Sequence, residues 1–362
     1  MTNSGLIGVD LFAGAGGLSC GLSRAGFNMK LGIEIDPNCA KTLSKNHSNM
    51  KVIISDIRLV DPLKAMKHID IRKGDLAIVA GGSPCRGFSQ SNKRTRVLSN
   101  PLNSLYKEFF RFVKAISPRV FLLENVKGLK TLQNGFVFKE ILEIGRKLGY
   151  HVQWNIVDTA DFGVPQYRKR IIFIGTSKKT ELLFEPEEKK RITVRESMDD
   201  LPILENGNSE DTLEYSRMEN LSDYQELMRR KKEKKVSNNM VSRNNELVVA
   251  RYKHIPLGGN WADIPRSLMS NYKHLNNCHR WIYYRLKWDE PSIVISNFRK
   301  NMLVHPEQDR GLSVREAARL QSFSDDYVFY GPLGAQQQMI ANAVPPFLGE
   351  GLGKNIKQML AN

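Results

Sequence analysis

Cysteine is scarce in this chain: four residues among 362, at Cys20, Cys39, Cys85 and Cys278, with no C-x-x-C spacing between them. That scatter argues against a zinc site or a disulfide framework, and a reducing cytoplasm is the expected compartment. No apolar run approaches the ~20 residues that a membrane span requires. The opening Thr2-Asn3-Ser4 is polar, and the short apolar stretch after it contains Asp10. A secretory leader would show a basic start and an unbroken apolar segment instead. There is no internal repeat. Acid is the scarcer charge, 38 Asp and Glu against 54 Lys and Arg, for a net +16. Such a field attracts polyanions, either nucleic acid or an acidic membrane surface.

What is present is an ordinary globular composition, 41% hydrophobic and 25% charged, long enough for one large core and a smaller lobe. Short apolar runs at Leu6 to Phe12, Met29 to Ile35, Val52 to Ser55, Leu76 to Ala80 and Val120 to Glu124 read as strands. Asp36-Pro37 is a helix start, a capping residue before a proline at the first position. Leu105, Phe109, Phe112, Val113 and Ile116 recur at helical spacing, and Phe136 to Leu148 is amphipathic, closed by Gly149. His151 to Val157 and Ile171 to Ile174 follow with no helix between them, which predicts an antiparallel pair at one edge. Strands alternating with helices predict an α/β fold, a mostly parallel sheet covered on both faces. From about residue 190 the chain turns polar and poorly periodic until the helical Val314 to Phe323, and a short helical tail, Phe347 to Leu360, ends it. The expected division is therefore 1–190 plus 326–362 for one domain and 191–325 for a loop-rich second.

Asp10-Leu11-Phe12-Ala13-Gly14-Ala15-Gly16-Gly17 joins the first strand to the first helix. Glycine there permits a sharp turn and a close ligand approach. The dinucleotide fingerprint G-x-G-x-x-G fails, because Ser19 stands where its third glycine belongs. Glu34 and Asp56 end the next two strands, where carboxylates can take ribose hydroxyls and an adenine amino group. An adenosine site at the carboxyl ends of parallel strands is the reading; a plain tight turn with solvated carboxylates is the bland one.

Gly81-Gly82-Ser83-Pro84-Cys85-Arg86-Gly87-Phe88-Ser89-Gln90 follows the fourth strand. A cysteine at a strand end beside a cofactor is well placed for nucleophilic attack. A lone cysteine is more commonly a buried structural one, but the flanking glycines and charges argue against burial here. The loop continues through Lys93, Arg94 and Arg96, as a segment closing over phosphates should. Glu124 ends an apolar strand, where partial burial would raise its pKa and keep a proton for donation. Gln166-Tyr167-Arg168-Lys169-Arg170 sets two guanidinium groups at alternate positions; a surface salt-bridge cluster is the alternative for each.

Taken in order, these segments resemble the motif series of the DNA (cytosine-5)-methyltransferases of prokaryotic restriction–modification type. Asp10–Gly17 resembles the family's cofactor loop, Pro84-Cys85 its catalytic dipeptide, Glu124-Asn125-Val126 its Glu-Asn-Val, and Gln166–Arg170 its Gln-x-Arg-x-Arg. Arg315-Glu316-Ala317-Ala318-Arg319-Leu320-Gln321 is similar to the helix organising the small lobe, and Asn342-Ala343-Val344-Pro345-Pro346 to the last motif, which returns to the cofactor pocket. The resemblance implies a Rossmann-like methyltransferase sheet with a target-recognition domain over 191–325. It implies S-adenosylmethionine as methyl donor, with a pocket drawn from Phe12, Ala13, Gly14, Gly16, Gly17, Glu34, Ile35, Asp56, Ile57, Pro84, Leu105, Asn342 and Ala343. Phe12 would stack on the adenine, and Asn342 would lie near the methionine portion. Cys85 would attack cytosine C6, Glu124 would donate to N3, and Arg170 with Arg168 would bind O2, with no metal. Double-stranded DNA is the implied partner, met by Ser89, Lys93, Arg94, Arg96 and Arg280, the base being flipped out for attack. A cognate restriction endonuclease, a monomeric enzyme and no membrane association complete the expectation.

Two positions depart from the family pattern: Arg86 where Gln is usual, and Ala341 where Gly commonly precedes the last motif's Asn. Neither removes a reacting group. An RNA-directed relative is disfavoured by the absence of its Cys-Phe-Thr segment, a silent DNA-binding regulator by the intact Cys85, Glu124 and Arg170, and an NAD enzyme by Ser19. Of the charged run Arg229 to Lys235, a solvated loop is the expectation. The aromatic, amide and guanidinium mixture of Gly258-Gly259-Asn260-Trp261, His279-Arg280-Trp281 and Tyr283-Tyr284-Arg285 suits base-edge contacts, against a small core as the alternative for Trp261 and Trp281.

Overall fold

The computed structural model describes residues 5–84, 104–181, 183–186, 191–229, 233–272, 280–296 and 298–361. Its first elements are β1 (Ile7–Leu11), α1 (Gly17–Arg24), β2 (Asn28–Glu34), α2 (Pro37–Asn46), β3 (Lys51–Ile54), α3 (Pro62–Lys67), β4 (Ile78–Gly82), α4 (Leu105–Ile116), β5 (Val120–Val126), α5 (Phe136–Lys147), β6 (His151–Asp158) and β7 (Lys169–Thr176). Shorter pieces follow: α6 (Val194–Met198), β8 (Leu213–Glu214), α7 (Asp223–Met228), β9 (Lys235–Val236), α8 (Glu246–Tyr252) and α9 (Phe298–Asn301). The chain then forms α10 (Val314–Leu320), α11 (Leu333–Asn342) and α12 (Pro346–Ala361).

Seven strands form one sheet in the order β3-β2-β1-β4-β5-β7-β6. All pairs are parallel except those made by β7, which runs antiparallel to both β5 and β6. The α/β expectation and its antiparallel edge are what the structure shows. Chain order reverses between β1 and β4, and the crevice beyond strand ends at such a reversal is where open α/β sheets bind ligands. β4 and β5 are buried for nearly their whole length, as central strands covered on both faces must be.

The helices expected from the spacing are present, with others beside them. Asp36 caps α2, its Oδ1 accepting from Asn38 N at 2.8 Å and Cys39 N at 3.2 Å, with Pro37 in the first turn. The same signature, Asp61 before Pro62, starts α3, a helix not among those expected. α4 buries Leu105, Tyr106, Phe109, Phe110, Phe112, Val113 and Ile116. Phe121 on β5 meets the rings of Phe109, Phe110 and Tyr150 edge-on at 5.2–6.1 Å. Among the described residues no helix is long and apolar enough to cross a membrane.

Packing separates two compact units. The first takes residues from 1–162, 168–189 and 344–362, the second from 163–167 and 190–343. Residues 326–343, expected with the first, thus pack with the second. The reason is polar: Asn238 Nδ2 donates to Phe329 O (3.0 Å) and Gln336 Oε1 (3.2 Å), and Gln321 Nε2 donates to Ile340 O (2.8 Å). Among its described residues the second unit has one two-stranded pair, β8 with β9, and short helices on α10. Much of its interior is guanidinium. Arg310, Arg315 and Arg319 are among the largest fully buried side chains in the molecule.

Candidate active site

β1 delivers the chain into a turn that only unusual backbone angles can make. Phe12 (φ 59°), Gly14 (φ 55°) and Gly16 (φ 88°) all lie in the left-handed region, and Gly16 is the N-cap of α1. Left-handed backbone is ordinary for glycine and costly for phenylalanine, so Phe12 is held there by its surroundings. Glu34 supplies part of that hold. Its Oε2 accepts from Gly14 N at 2.8 Å, and its Oε1 accepts from Ile35 N and Asp36 N at 2.9 and 2.8 Å. A Cβ built on Gly14 meets nothing within 4 Å, so the turn is open on its outer side.

Ser19, the residue that spoils the dinucleotide fingerprint, donates its hydroxyl to Asp10 Oδ2 at 2.5 Å. Asp10 is 1% exposed. Burial pushes its pKa up to about 7, Glu34 adds to the rise, and the Ser19 bond opposes it. Where a glycine would let helix and strand approach, this chain places a hydroxyl that satisfies a buried carboxyl. His47, at the C-cap of α2, contributes unannounced: it is hydrogen-bonded to the backbone of Gly16, and burial holds its pKa below the usual value. A lone histidine after an amphipathic helix carries no sequence signal for that contact.

The other predicted pocket residues divide. Ile35 is 63% exposed at the end of β2. Asp56 follows β3 and caps the 3₁₀ turn Ile57–Leu59, its carboxylate engaged by Arg58 through the backbone N–H at 3.0 Å and the guanidinium. Ala13, Ile57 and Leu105 are buried, the latter two in the main apolar cluster. Gly17 opens α1. Asn342 is exposed, accepting from Gln338 Nε2 at 2.9 Å, and it and Ala343 pack with the second unit, one residue before the chain re-enters the first at Val344.

A second cluster lies at the ends of β4 and β5. The register pairs Gly82 with Glu124. A Cβ on Gly82 would sit 3.0 Å from Glu124 Oε2 and 3.8 Å from Val344 Cγ2, so glycine there makes room for the carboxylate. Asn125 Nδ2 reaches Ser83 O and Oγ, both at 3.2 Å, fastening the strand end that leads into Pro84. Glu124 is not alone in its burial: Arg170 Nε lies 2.8 Å from its Oε1, with both side chains about nine-tenths buried. β7 makes this pair possible, because its antiparallel course sets Arg170 opposite Val126 and Ile172 opposite Glu124. Arg168 is buried, its backbone N donating to Asp158 Oδ1 at 3.0 Å and its carbonyl accepting from Thr159 N at 3.0 Å. Gln166 packs in the second unit, accepting from Ile295 N at 2.8 Å and donating to Leu320 O and Gln321 Oε1. Cys85, Arg86, Ser89, Lys93, Arg94 and Arg96 lie outside the described residues.

The predicted DNA-facing segments also divide. Arg280 is exposed, and Trp281, 45% exposed, meets Tyr284 edge-on at 5.4 Å. Tyr283 and Arg285 are buried instead. Arg285 donates to the carbonyls of Ile255, Tyr252 and His305 and to Asp309. Trp261 packs against the Val248–Tyr252–Tyr283 cluster with its Nε1 buried and unpartnered among the described residues. Arg229, expected in a solvated run, is buried against Asp200 Oδ2 at 2.5 Å and stacked over Tyr215; only Glu233, Lys234 and Lys235 of the described part of that run are exposed.

Glycine turn, carboxylates at successive strand ends and antiparallel β7 together define an α/β methyltransferase sheet. Comparison narrows the class: residues 6–358 match the family model for C-5 cytosine-specific DNA methylases, and the chain belongs to that family. It is 36% identical over 356 residues to the Type II methyltransferase M1.HphI of Haemophilus parahaemolyticus, covering 98% of this chain and 87% of that one. It is 33% identical over 392 residues to M.DdeI of Desulfomicrobium norvegicum, covering 98% and 89%. A solved candidate DNA modification methyltransferase from an Escherichia coli prophage shares the fold, with a TM-score of 0.80 at 24% identity over 99% of this chain and 100% of that one. The chain is a cytosine-C5 DNA methyltransferase, and its methyl donor is S-adenosylmethionine. The residues fit that donor. An open glycine turn, a Glu34 carboxylate pinned to it and an exposed Ile35 beside it offer hydrogen-bond acceptors and an apolar face to a nucleoside.

Proposed function

We propose that the enzyme methylates C5 of a cytosine swung out of a specific double-stranded DNA sequence, through a covalent bond between Cys85 and C6. The observation that carries this reading is the Glu124–Arg170 pair at 2.8 Å, set beside Gly82 by the β4–β5 register. In the sequence Cys85 follows Gly82 by three residues, and the acid and the guanidinium belong to the adjoining strands β5 and β7. Cytosine C5 is a poor nucleophile. Addition of the Cys85 thiolate to C6 forms the S–C6 bond and moves an electron pair toward C5 and N3. Glu124 gives a proton to N3, and Arg170 with Arg168 holds O2, since guanidinium stays charged and directional. S-adenosylmethionine, when bound, supplies an electrophilic methyl group. Glu34 would take its ribose hydroxyls, Asp56 its adenine amino group, Phe12 its adenine face and Asn342 its methionine end. Once C5 carries the new methyl, with S-adenosylhomocysteine as the leaving group, a solvent base takes the C5 proton, the C6–S bond breaks to release the Cys85 thiolate, and N3 returns its proton to Glu124, which restores the ring. A target base inside the duplex is out of reach of such an attack, so flipping belongs to the reading.

The Type II methyltransferase names of the relatives accord with a further part of the reading, an enzyme that marks DNA against a companion endonuclease, and the reading takes it to act as a monomer in the cytoplasm. The central test is chemical. Cys85→Ser abolishes methyl transfer and leaves DNA binding largely intact, while the wild type forms a denaturation-resistant adduct with DNA containing 5-fluorocytosine. Near-normal turnover by Cys85→Ser would falsify the mechanism.

A further inference from the structure

The second unit contains a depression of about 380 Å³ that the chemistry above does not use. It is lined by the Ser242–Asn244 segment, Tyr252 of α8, Phe298 and Arg299 of α9, and the start of α11, and among the described residues no carboxylate lines it. Two guanidinium groups reach it, Arg243 and Arg299. Both are exposed, and neither has an ion pair or hydrogen bond among the described residues. That sets them apart from buried arginines of the same unit such as Arg229, Arg285, Arg310 and Arg319, each matched to a carboxylate. The stem of Arg243 is held, because Gly207, at φ +80°, approaches it so closely that an added Cβ would lie 2.9 Å from its Cβ.

A third donor sits on the floor. Gln337, 3% exposed, gives its Nε2 to Ser242 Oγ at 2.8 Å. Having accepted that bond, the Ser242 hydroxyl keeps its own proton for an acceptor. The Gln337 Oε1 is buried, so the acceptor end of the amide is not presented to a ligand. Two unpaired guanidinium groups and a hydroxyl donor, without a carboxylate, suit a phosphate oxygen. The apolar wall of Tyr252, Phe298, Met302 and Leu312 suits the sugar on either side of it.

We propose that this depression is a phosphate-binding seat, and that it holds one backbone phosphate of the DNA substrate. The assignment rests on duplex DNA being the substrate. A phosphate contact positions the duplex and reads no sequence. Its loss must therefore weaken all sequences alike and reduce the number of counterions released.

The test measures binding of two duplexes, one with and one without the methylated sequence, by fluorescence anisotropy across a salt series. Wild type is compared with Arg243→Gln/Arg299→Gln and with Arg243→Lys/Arg299→Lys. The Gln variant should flatten the slope of log K against log salt by about 0.9 for the one phosphate lost. It should weaken both duplexes by the same factor and melt like wild type, and the Lys variant should keep most of the slope. A slope unchanged in the Gln variant overturns the proposal. So does a loss confined to one duplex, which would make the depression a base reader. Inorganic phosphate is added in a separate thermal-shift arm. If it protects wild type but not the Gln variant while the DNA slopes coincide, the seat takes free phosphate and the DNA assignment falls. Failure of wild type to bind either duplex would instead sink the reading of the substrate, and is visible before any variant is made.

Discussion

The two units differ in what their helices bury. α4 in the first turns seven apolar and aromatic side chains inward. α10 in the second is buried over its whole length, yet three of its seven residues are Arg315, Glu316 and Arg319. Arg319 joins Asp325 (2.6 Å) to Asp200 (3.2 Å), Arg310 joins Glu316, and Arg315 takes the carbonyls of Ser237, Ser324 and Tyr327. An apolar core is forgiving of direction. A guanidinium core is not, because every donor must find its acceptor or cost the desolvation of a charge. The difference also corrects the meaning of the net charge. Arg229, Arg251, Arg285, Arg310, Arg315 and Arg319 are all buried, so a good share of the arginine serves the interior of one unit rather than a polyanion outside.

The sharpest way to break this comparison is to remove one member of each core. Arg319→Met takes away the main partner of the Asp325 carboxylate, which keeps Tyr215 and the more distant Arg315, while Asp200 keeps Arg229; it should cost ~3–5 kcal/mol in urea unfolding. Adding Asp325→Asn to it should recover part of the loss. Phe121→Ala should cost a similar ~3–5 kcal/mol, with no polar change able to restore it. An Arg319→Met protein of nearly wild-type stability would show that the network is decoration.

The units should also tilt oppositely with pH. Asp10 has its folded pKa raised to about 7 from 3.8. The stability tied to its neutral form is full below about pH 4 and lost as pH rises through 7, each tenfold change in proton affinity being worth about 1.4 kcal/mol. His305 in the second unit is the reverse, held down to about 4 by burial, with its Nδ1 accepting from Glu307 N and Gln308 N. Its contribution is present above pH 6.5 and lost as pH falls through 4. Asp10→Asn should therefore gain on the wild type as pH climbs from about 4 to about 7, and His305→Asn as pH drops from about 7 to about 4. Equal pH slopes for Asp10→Asn and wild type would show that Asp10 carries none of this dependence.

The first unit is legible in the sequence because its signals are local. Period, glycine and capping locate all seven strands of its sheet to within two residues, and Glu34, Glu124 and Arg170 stand at strand ends where the fold puts them. α3 escapes that reading although Asp61-Pro62 repeats the Asp36-Pro37 signal. In the second unit the helices run only four to ten residues, too short for periodicity to speak, and their partners lie far away in sequence. Gln166 bonds Leu320, and Arg319 bonds Asp200. No window of sequence contains both ends of such a bond. For the same reason the sequence does not disclose that Arg229, at the head of a charged run, and Arg285, in an aromatic and basic segment, are buried.

Two smaller effects would sharpen the line between interior and exterior arginine. Arg280→Ala, exposed beside Trp281, should relax or change the methylated sequence by the ~1–3 kcal/mol of one base contact. Methylome sequencing of cells expressing it gives the answer, and loss of methylation everywhere with an unchanged sequence preference would place recognition elsewhere. Lys234→Ala with Lys235→Ala, both exposed, should move stability by no more than ~0.5 kcal/mol. A larger shift in thermal melting would show that the exposed remainder of the charged run is structural as well.

α12 rests on α1 at backbone distance: a Cβ on Gly21 would lie 2.2 Å from Pro346 O, and one on Gly353 2.7 Å from the Cβ of Ala25. The first unit is thus sewn from stretches of chain on both sides of the second. On a ribosome adding roughly 5–20 residues per second, the sheet emerges on the order of ten seconds or more before the helix that closes it. During that wait the face of α1 made for α12 is bare, and the intervening unit is the part that can complete its contacts first. Order of assembly is then written into the connectivity: the unit begun earlier is finished later, and a contact of very high sequence separation, slow to form, is the last step toward a complete methyltransferase fold.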